Sequence, residues 1–310
     1  MANVLSGTSA LADQVQAAYD QVLRFGLRDN LVFGQFARTK PGNVTSPGSS
    51  VNFTFMTDMA AAVTPLAELT DVDSVVLADT TLAITPLEYG NAVTTSAKVR
   101  SDTLAIGFDA DVANVVAWNM VDTLDTLAGT ALDGGTTVDY VAQSAEASIA
   151  AGNIITAAEV RQKQAELRTA SAIPLDGGNF AAVIHPDVAY DLMTETGDGA
   201  WVAPAQYVNP DNFYNGEIGM LSGFRFTSSP RAKLTADGGA SAVDTYTTYF
   251  IGGEALALAE SIAPHIVIGE VVDRLRRFQP VGWYAYLKYE TFREACSSRL
   301  LSASSIGANT

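Results

Sequence analysis

Sulfur and imidazole are scarce in this sequence, which has one cysteine, Cys296, and two histidines, His185 and His265, in 310 residues. A single thiol allows no intrachain disulfide and no cysteine-based zinc site within one chain, so stability must come from packing and from neighbours. Neither histidine has His-x-x-Glu-His or similar spacing, so a metal centre would have to be built mostly from carboxylates. Positive charge is also short: 18 Lys and Arg against 34 Asp and Glu give a formal charge of -16. The acids are spread along the chain instead of forming a tail, and such a surface repels phosphate backbones on average. That argues against a dedicated nucleic-acid reader while leaving room for a locally basic face. No uncharged apolar run is long enough to cross a bilayer, and residues 1–14 lack the basic start and apolar stretch of a signal peptide. The expectation is a protein made and kept in a cytoplasm, without membrane contact.

Catalytic signatures are missing as well. There is no Gly-x-Ser-x-Gly elbow and no phosphate-cradling Gly-x-x-x-x-Gly-Lys loop. Asp109 with Asp111, or Asp122 with Asp125, would be carboxylate pairs for acid and base work. Positions two apart do not share a helix face, however, and Asp122 and Asp125 fall opposite an apolar stripe, where solvated charge is expected. His185-Pro186-Asp187 reads as a strand-to-helix junction with capping residues. Cys296 reads as a small buried residue, and the aromatic run from Trp283 to Tyr289 as packing, given Glu290 and Glu294 beside it. No catalytic residue, cofactor site or metal site is expected. The enzyme alternative, a carboxylate-dependent hydrolase, would require activity that disappears when Asp109 or Asp187 is changed.

With 48% apolar residues the chain can bury a sizeable core. Residues 9–25 place Val15, Tyr19, Val22 and Phe25 at helical spacing, and Pro41-Gly42-Asn43 and Ser46-Pro47-Gly48 then interrupt any regular element, which marks an arm. Residues 51–55 and 75–84 read as the two strands of a long hairpin whose tip is acidic and apolar; such a ribbon is marginal in water without a surface to lie on. Residues 89–99 continue as a strand. A helix follows from Ser101 or Asp102 unbroken to Gly129, with Leu104, Phe108, Val112, Val115, Trp118, Val121, Leu124 and Ala128 as its stripe. Its length, roughly 40 Å at ~1.5 Å per residue, is that of a spine. Thr156-Ala157-Ala158-Glu159 has capping-box spacing for a second helix. From Phe180 short strands at residues 180–184, 224–228 and 247–252 alternate with short helices as in a compact α+β lobe. Strands at 265–274 and 281–292 follow, the latter with Trp283, Ala285, Leu287 and Tyr289 on one face, and the Ser/Ala-rich tail from Ser297 reads as flexible. Arg274, Arg276 and Arg277 form a basic cluster, explained equally by intersubunit salt bridges and by contact with DNA.

This order of segments resembles the tailed-bacteriophage major capsid proteins of the Hong Kong ninety-seven fold, most closely at Ile84-Thr85-Pro86-Leu87, at Lys98-Val99-Arg100-Ser101-Asp102 and at Tyr249-Phe250-Ile251-Gly252-Gly253-Glu254-Ala255. The resemblance implies an α+β capsid fold: an N-terminal arm (1–49), an extended β-hairpin loop (50–84), a peripheral domain with the long spine helix (85–178 and 261–310) and an axial α+β domain (179–260). It implies a structural role, self-assembly into an icosahedral shell around the phage genome. The partners would be other copies in hexamers and pentamers, a portal, a separate scaffolding protein, a decoration protein and double-stranded DNA held weakly and without sequence specificity. The place would be the virion, assembled in the host cytoplasm. The assembly interface would include Phe53, Phe55, Pro65, Leu66, Glu68, Asp71, Asp73, Arg274, Arg276 and Arg277. Some family members weld subunits through a lysine on the loop, but residues 50–89 contain none, so this shell is expected to be held non-covalently. The chain starts directly with the arm, so no fused scaffolding segment is expected. Alternative readings are an encapsulin-type compartment shell, which would hold protein cargo instead of DNA, and a tail-tube or surface-array protein, against which the spine helix counts.

Overall fold

The computed structural model describes residues 31–39, 50–66, 68–69, 71–102, 108–175, 178–195, 217–269, 275 and 277–306. The helix expected over 9–25, nearly all of the arm, and Arg274 and Arg276 lie outside the described residues.

In chain order the elements are β1 (Ala37–Thr39), β2 (Val51–Met56), β3 (Asp79–Ile84), β4 (Leu87–Ser96), α1 (Ala97–Asp102), α2 (Phe108–Asp133), β5 (Val138–Tyr140), α3 (Ala157–Thr169) and β6 (Phe180–Ile184). They continue as α4 (Pro186–Thr194), β7 (Glu217–Leu221), β8 (Phe224–Ser228), β9 (Leu234–Thr235), β10 (Thr245–Ile251), β11 (Leu256–Ile268), β12 (Phe278–Thr291) and β13 (Ser297–Ser302). A four-stranded sheet has the order β1-β11-β12-β4; a seven-stranded sheet runs β5-β13-β10-β6-β8-β7, with β9 on β10; β2 and β3 form a separate ribbon.

β10 is buried along its whole length, as its β-branched and aromatic run Thr-Tyr-Thr-Thr-Tyr-Phe-Ile requires of a central strand. Phe180, Phe224, Phe226 and Phe250 fill the core of this sheet. β12 alternates cleanly: Trp283, Ala285 and Leu287 are buried while Tyr284, Tyr286 and Lys288 are only partly so. Against that buried face lie Val116, Met120, Leu124 and Leu127 of α2, and the Trp283 indole N–H donates to Asn119 at 2.8 Å. Ala128 and Leu132 at the far end of α2 enter the core of the seven-stranded sheet instead. The 26-residue helix, roughly 39 Å long at ~1.5 Å per residue, therefore joins both sheets.

Several expectations shift. The long helix is described from Phe108 and continues past Gly129 to Asp133, while residues 103–107, where its expected start would join it, lie outside the described residues. Val115 and Val121 of the expected stripe are exposed and Val116 and Met120 pack instead, whereas Leu124 and Ala128 pack as expected. The first return strand begins at Leu256 and ends at Ile268, because register shifts between Glu260, Ile262 and His265 interrupt the alternation that the sequence is read by. The tail from Ser297 is not flexible through Ser302: it is β13, antiparallel to β10 from Tyr246↔Ser302 to Ile251↔Ser297, with Ser298 and Ser302 buried. β5 and β13 thus share a sheet with β6 and β10, so the sheets cross the expected segment limits at 179 and 261. The capping box stands as read, with the Glu159 carboxylate accepting from the Thr156 N–H at 2.8 Å.

Candidate assembly surfaces

β2 and β3 pair from Val51↔Ile84 to Met56↔Asp79, so the ribbon is short and residues 57–78 form its excursion. Its root belongs to the chain's own body. Val51, Phe53 and Ile84 pack on Ala257 and Ala259 of β11, and Phe292 meets both Phe53 and Phe55 edge-on with ring centroids 5.2 Å apart. The Arg293 guanidinium lies 5.4 Å from the Phe55 ring centre and pairs with Glu254 at 2.9 Å. Phe53 is therefore buried in its own chain, and Phe55 half-buried, whereas both had been expected at an intersubunit contact.

The excursion is different. Pro65, Leu66, Glu68, Asp71 and Asp73 are all exposed, and they are joined by Met59, Val63, Leu69, Val72, Val75, Val76 and Leu77. Leu69 is 97% exposed. An isolated exposed leucine is ordinary, but a contiguous apolar segment of this size marks a contact surface. The segment carries four acids, Asp58, Glu68, Asp71 and Asp73, and the chain has neither lysine nor arginine between Lys40 and Lys98. Arg277, from the expected basic cluster, is exposed beside the Phe278 ring at the end of the four-stranded sheet, where the Ala97 N–H donates to its carbonyl.

A site that the sequence reading missed lies where the chain enters its body from residue 31. Asp125 is buried, not solvated. One carboxylate oxygen accepts from the backbone N–H groups of Phe33 (2.7 Å) and Gly34 (3.1 Å); the other accepts from Arg231 Nε at 3.0 Å. The same guanidinium reaches the Asp122 carboxylate at 2.5 Å and the Thr126 hydroxyl at 2.6 Å. One charged cluster thus ties the segment at Phe33, the spine helix and the loop after β8, with Phe33 stacked edge-on against Tyr249. Only the i, i+3 spacing of two acids on a long helix hinted at it.

His185 is the N-cap of α4. Its Nδ1 accepts from the Asp187 N–H at 3.3 Å and lies 3.4 Å from the Asp187 carboxylate, which also accepts from Tyr246 at 3.1 Å. Burial holds the His185 pKa below the usual imidazole value, partly offset by Asp187, and burial with the Asp187 contact pushes Tyr246 up to about 12. The cap needs an unprotonated Nδ1, so its stabilisation is full above the unfolded imidazole pKa near 6.5 and is lost as pH falls through the lower folded value. Between pH 7 and pH 5 the protein should lose more stability than a His185→Asn variant, which caps without titrating; an identical pH dependence of the two in chemical denaturation would contradict this.

Among the described residues no group of three His, Cys, Asp or Glu side chains could hold a metal, and no described helix is long and apolar enough to cross a membrane. Cys296 is buried, with its carbonyl accepting from the Gly252 N–H at 2.7 Å.

Residues 151–289 match the family model described as phage capsid protein. The capsid of Ralstonia phage GP4 superposes with a TM-score of 0.77 at 13% identity, over 96% of this chain and 97% of that one. The chain has the phage capsid fold. The cyanophage Pam1 capsid gives 0.74 at 14% identity, over 99% of this chain and all of that one, and the head of Helicobacter pylori bacteriophage KHP40 gives 0.67 at 12% identity, over 97% and 98%. No curated protein matches significantly. Because the superposition extends over nearly the whole of both partners, the capsid fold covers the ribbon, the spine helix and both sheets together. The family match, which spans α3 to β12, is to structural proteins.

Proposed function

We propose that this protein is the major capsid subunit of a tailed bacteriophage. It assembles with copies of itself, as hexamers and pentamers, into the icosahedral shell around the genome. The observation that carries this reading is the apolar, acidic segment 57–78, left exposed on a chain with the phage capsid fold. Identical copies around local symmetry axes supply the missing burial, and many weak contacts acting together give a stable shell. The arm (1–49), loop (50–84), peripheral (85–178, 261–310) and axial (179–260) divisions serve as the working domain scheme. A separate scaffolding protein, a portal, a decoration protein and weakly held double-stranded DNA are the further partners, and assembly takes place in the host cytoplasm. The charge of -16 keeps free subunits soluble and limits the grip of the shell on DNA.

Particles isolated with this chain should contain nuclease-protected double-stranded DNA; protein cargo without DNA would instead make it the shell of a bacterial compartment. With no lysine in residues 50–89, boiling such particles in denaturant should release a single band near 32.6 kDa. A ladder of covalent oligomers on that gel would refute non-covalent assembly.

A further inference from the structure

Both larger sheets end in edge strands, and an edge that shows its N–H and C=O groups is a template for another strand. Three of the four edges carry the usual protection. β1 and β5 are each three residues long. β7 has five residues, a register shift between Glu217 and Gly219, and the buried Glu217 carboxylate, which pairs with Arg225 at 3.4 Å. β4 has none of these devices. It is ten residues long, pairs with β12 from Phe278↔Ser96 to Leu287↔Leu87 without a shift, and holds neither proline nor a charge from Tyr89 to Ser96. Among the described residues no strand lies beyond it. Its outer side follows from two hydrogen bonds, because N–H and C=O groups alternate sides along an antiparallel strand. The Ala97 N–H donates to the Arg277 carbonyl at 2.7 Å, which turns the odd-numbered residues toward β12; the Ala92 N–H donates instead to the side-chain oxygen of Asn91 at 2.9 Å. Gly90, Ala92 and Thr94 therefore present their backbone groups to the open side, and all three are exposed, as are Asn91 and Val93 between them.

We infer that β4 pairs antiparallel with β4 of a second copy across a two-fold axis, so that two four-stranded sheets become one continuous sheet. This deepens the shell reading and rests on it: the contact is isologous, and it joins one ring of subunits to the next. The charges favour this occupant. Exposed Glu88 stands at one end of the strand and exposed Lys98 just past the other, so an antiparallel copy sets opposite charges together at both ends, while the uncharged middle has nothing to repel. With Val93 on the axis, Ala92 faces Thr94, Gly90 faces Ser96 and Glu88 faces Lys98 of the other copy. The even-numbered residues then exchange backbone hydrogen bonds across the contact. Val93 becomes a non-hydrogen-bonded pair with itself, the kind whose Cα atoms approach to about 4.5 Å.

The test is disulfide trapping in assembled particles. Val93→Cys, in a chain whose native cysteine is buried, should under mild copper-phenanthroline oxidation convert most subunits to a species of twice the subunit mass on a non-reducing denaturing gel. Glu88→Cys, exposed on the same strand but opposite Lys98 instead of itself, should give no such dimer. Closed particles in which Val93→Cys yields no dimer, or in which Glu88→Cys yields as much, overturn the pairing and leave the shell reading standing. Where Val93→Cys fails to assemble, charge decides. Val93→Lys and Val93→Glu should each lower particle yield roughly tenfold by facing like charges across the axis, with the subunit's melting temperature unchanged because Val93 is 44% exposed, and an equimolar mixture of the two should recover the yield. A mixture that assembles no better than either variant alone, or single variants that assemble as wild type does, also overturn the pairing. If the wild-type chain forms no particles under any condition, the pairing and the shell reading both fail.

Discussion

Replacing Leu66 and Leu69 together by aspartate should abolish shell formation while leaving the isolated subunit's melting temperature within about 1 °C of wild type. The two side chains are 75% and 97% exposed, so the folded monomer loses almost nothing with them. In the shell each leucine contributes roughly 1.5–3 kcal/mol by leaving water, and each replacement carboxylate would have to be desolvated in the same place. A loss of about 3–6 kcal/mol per contact lowers each association constant by roughly two to four orders of magnitude, and the effect compounds over every contact in a closed particle. Light scattering at the concentration where wild type assembles reads this directly. Normal particles from the double variant would mean that segment 57–78 does not hold the shell.

The largest expected effect on the subunit itself is at Asp125. Asp125→Ala should cost about 3–5 kcal/mol in urea denaturation, because it strands the Arg231 guanidinium, which is largely buried, and removes the acceptor for the Phe33 and Gly34 N–H groups. Asp125→Asn retains an acceptor for those amides and should cost less, about 1–2 kcal/mol. An Asp125→Ala change of under 1 kcal/mol would show the carboxylate to be solvated in the folded subunit, as the sequence alone had suggested.

Local pattern was legible where neighbours in sequence decide the structure. The ribbon, the spine, the capping box at Thr156 and the strand at Phe180–Ile184 each follow from periodicity or from a cap within a few residues. What the sequence hid depends on distant partners. Asp125 looked solvated because the groups that bury it, Phe33 and Arg231, lie 92 and 106 positions away. Ser297–Ser302 looked like a loose tail because serine is poor at signalling a strand; its place is set by pairing with the aromatic strand β10. Leu124 and Ala128 of the α2 stripe were legible, but Val115 was taken for Val116 because adjacent valines allow two registers, and the packing on Trp283 selects the one through Val116. For the candidate surface, the acidic and apolar composition of residues 57–78 was visible, but not that Phe53 closes the root from within. The open edge at β4 could not be read either, since the order of strands in its sheet is set by pairing between distant segments.

The central claim is that residues 57–78 find their burial on sister copies. Hydrogen–deuterium exchange measured on the same preparation before and after assembly tests it most directly. Segment 57–78 should exchange within seconds in the free subunit and become protected at least a hundredfold in closed particles of uniform diameter. A subunit that stays monomeric at high concentration with that segment already protected, or closed particles in which it still exchanges freely, would contradict the account.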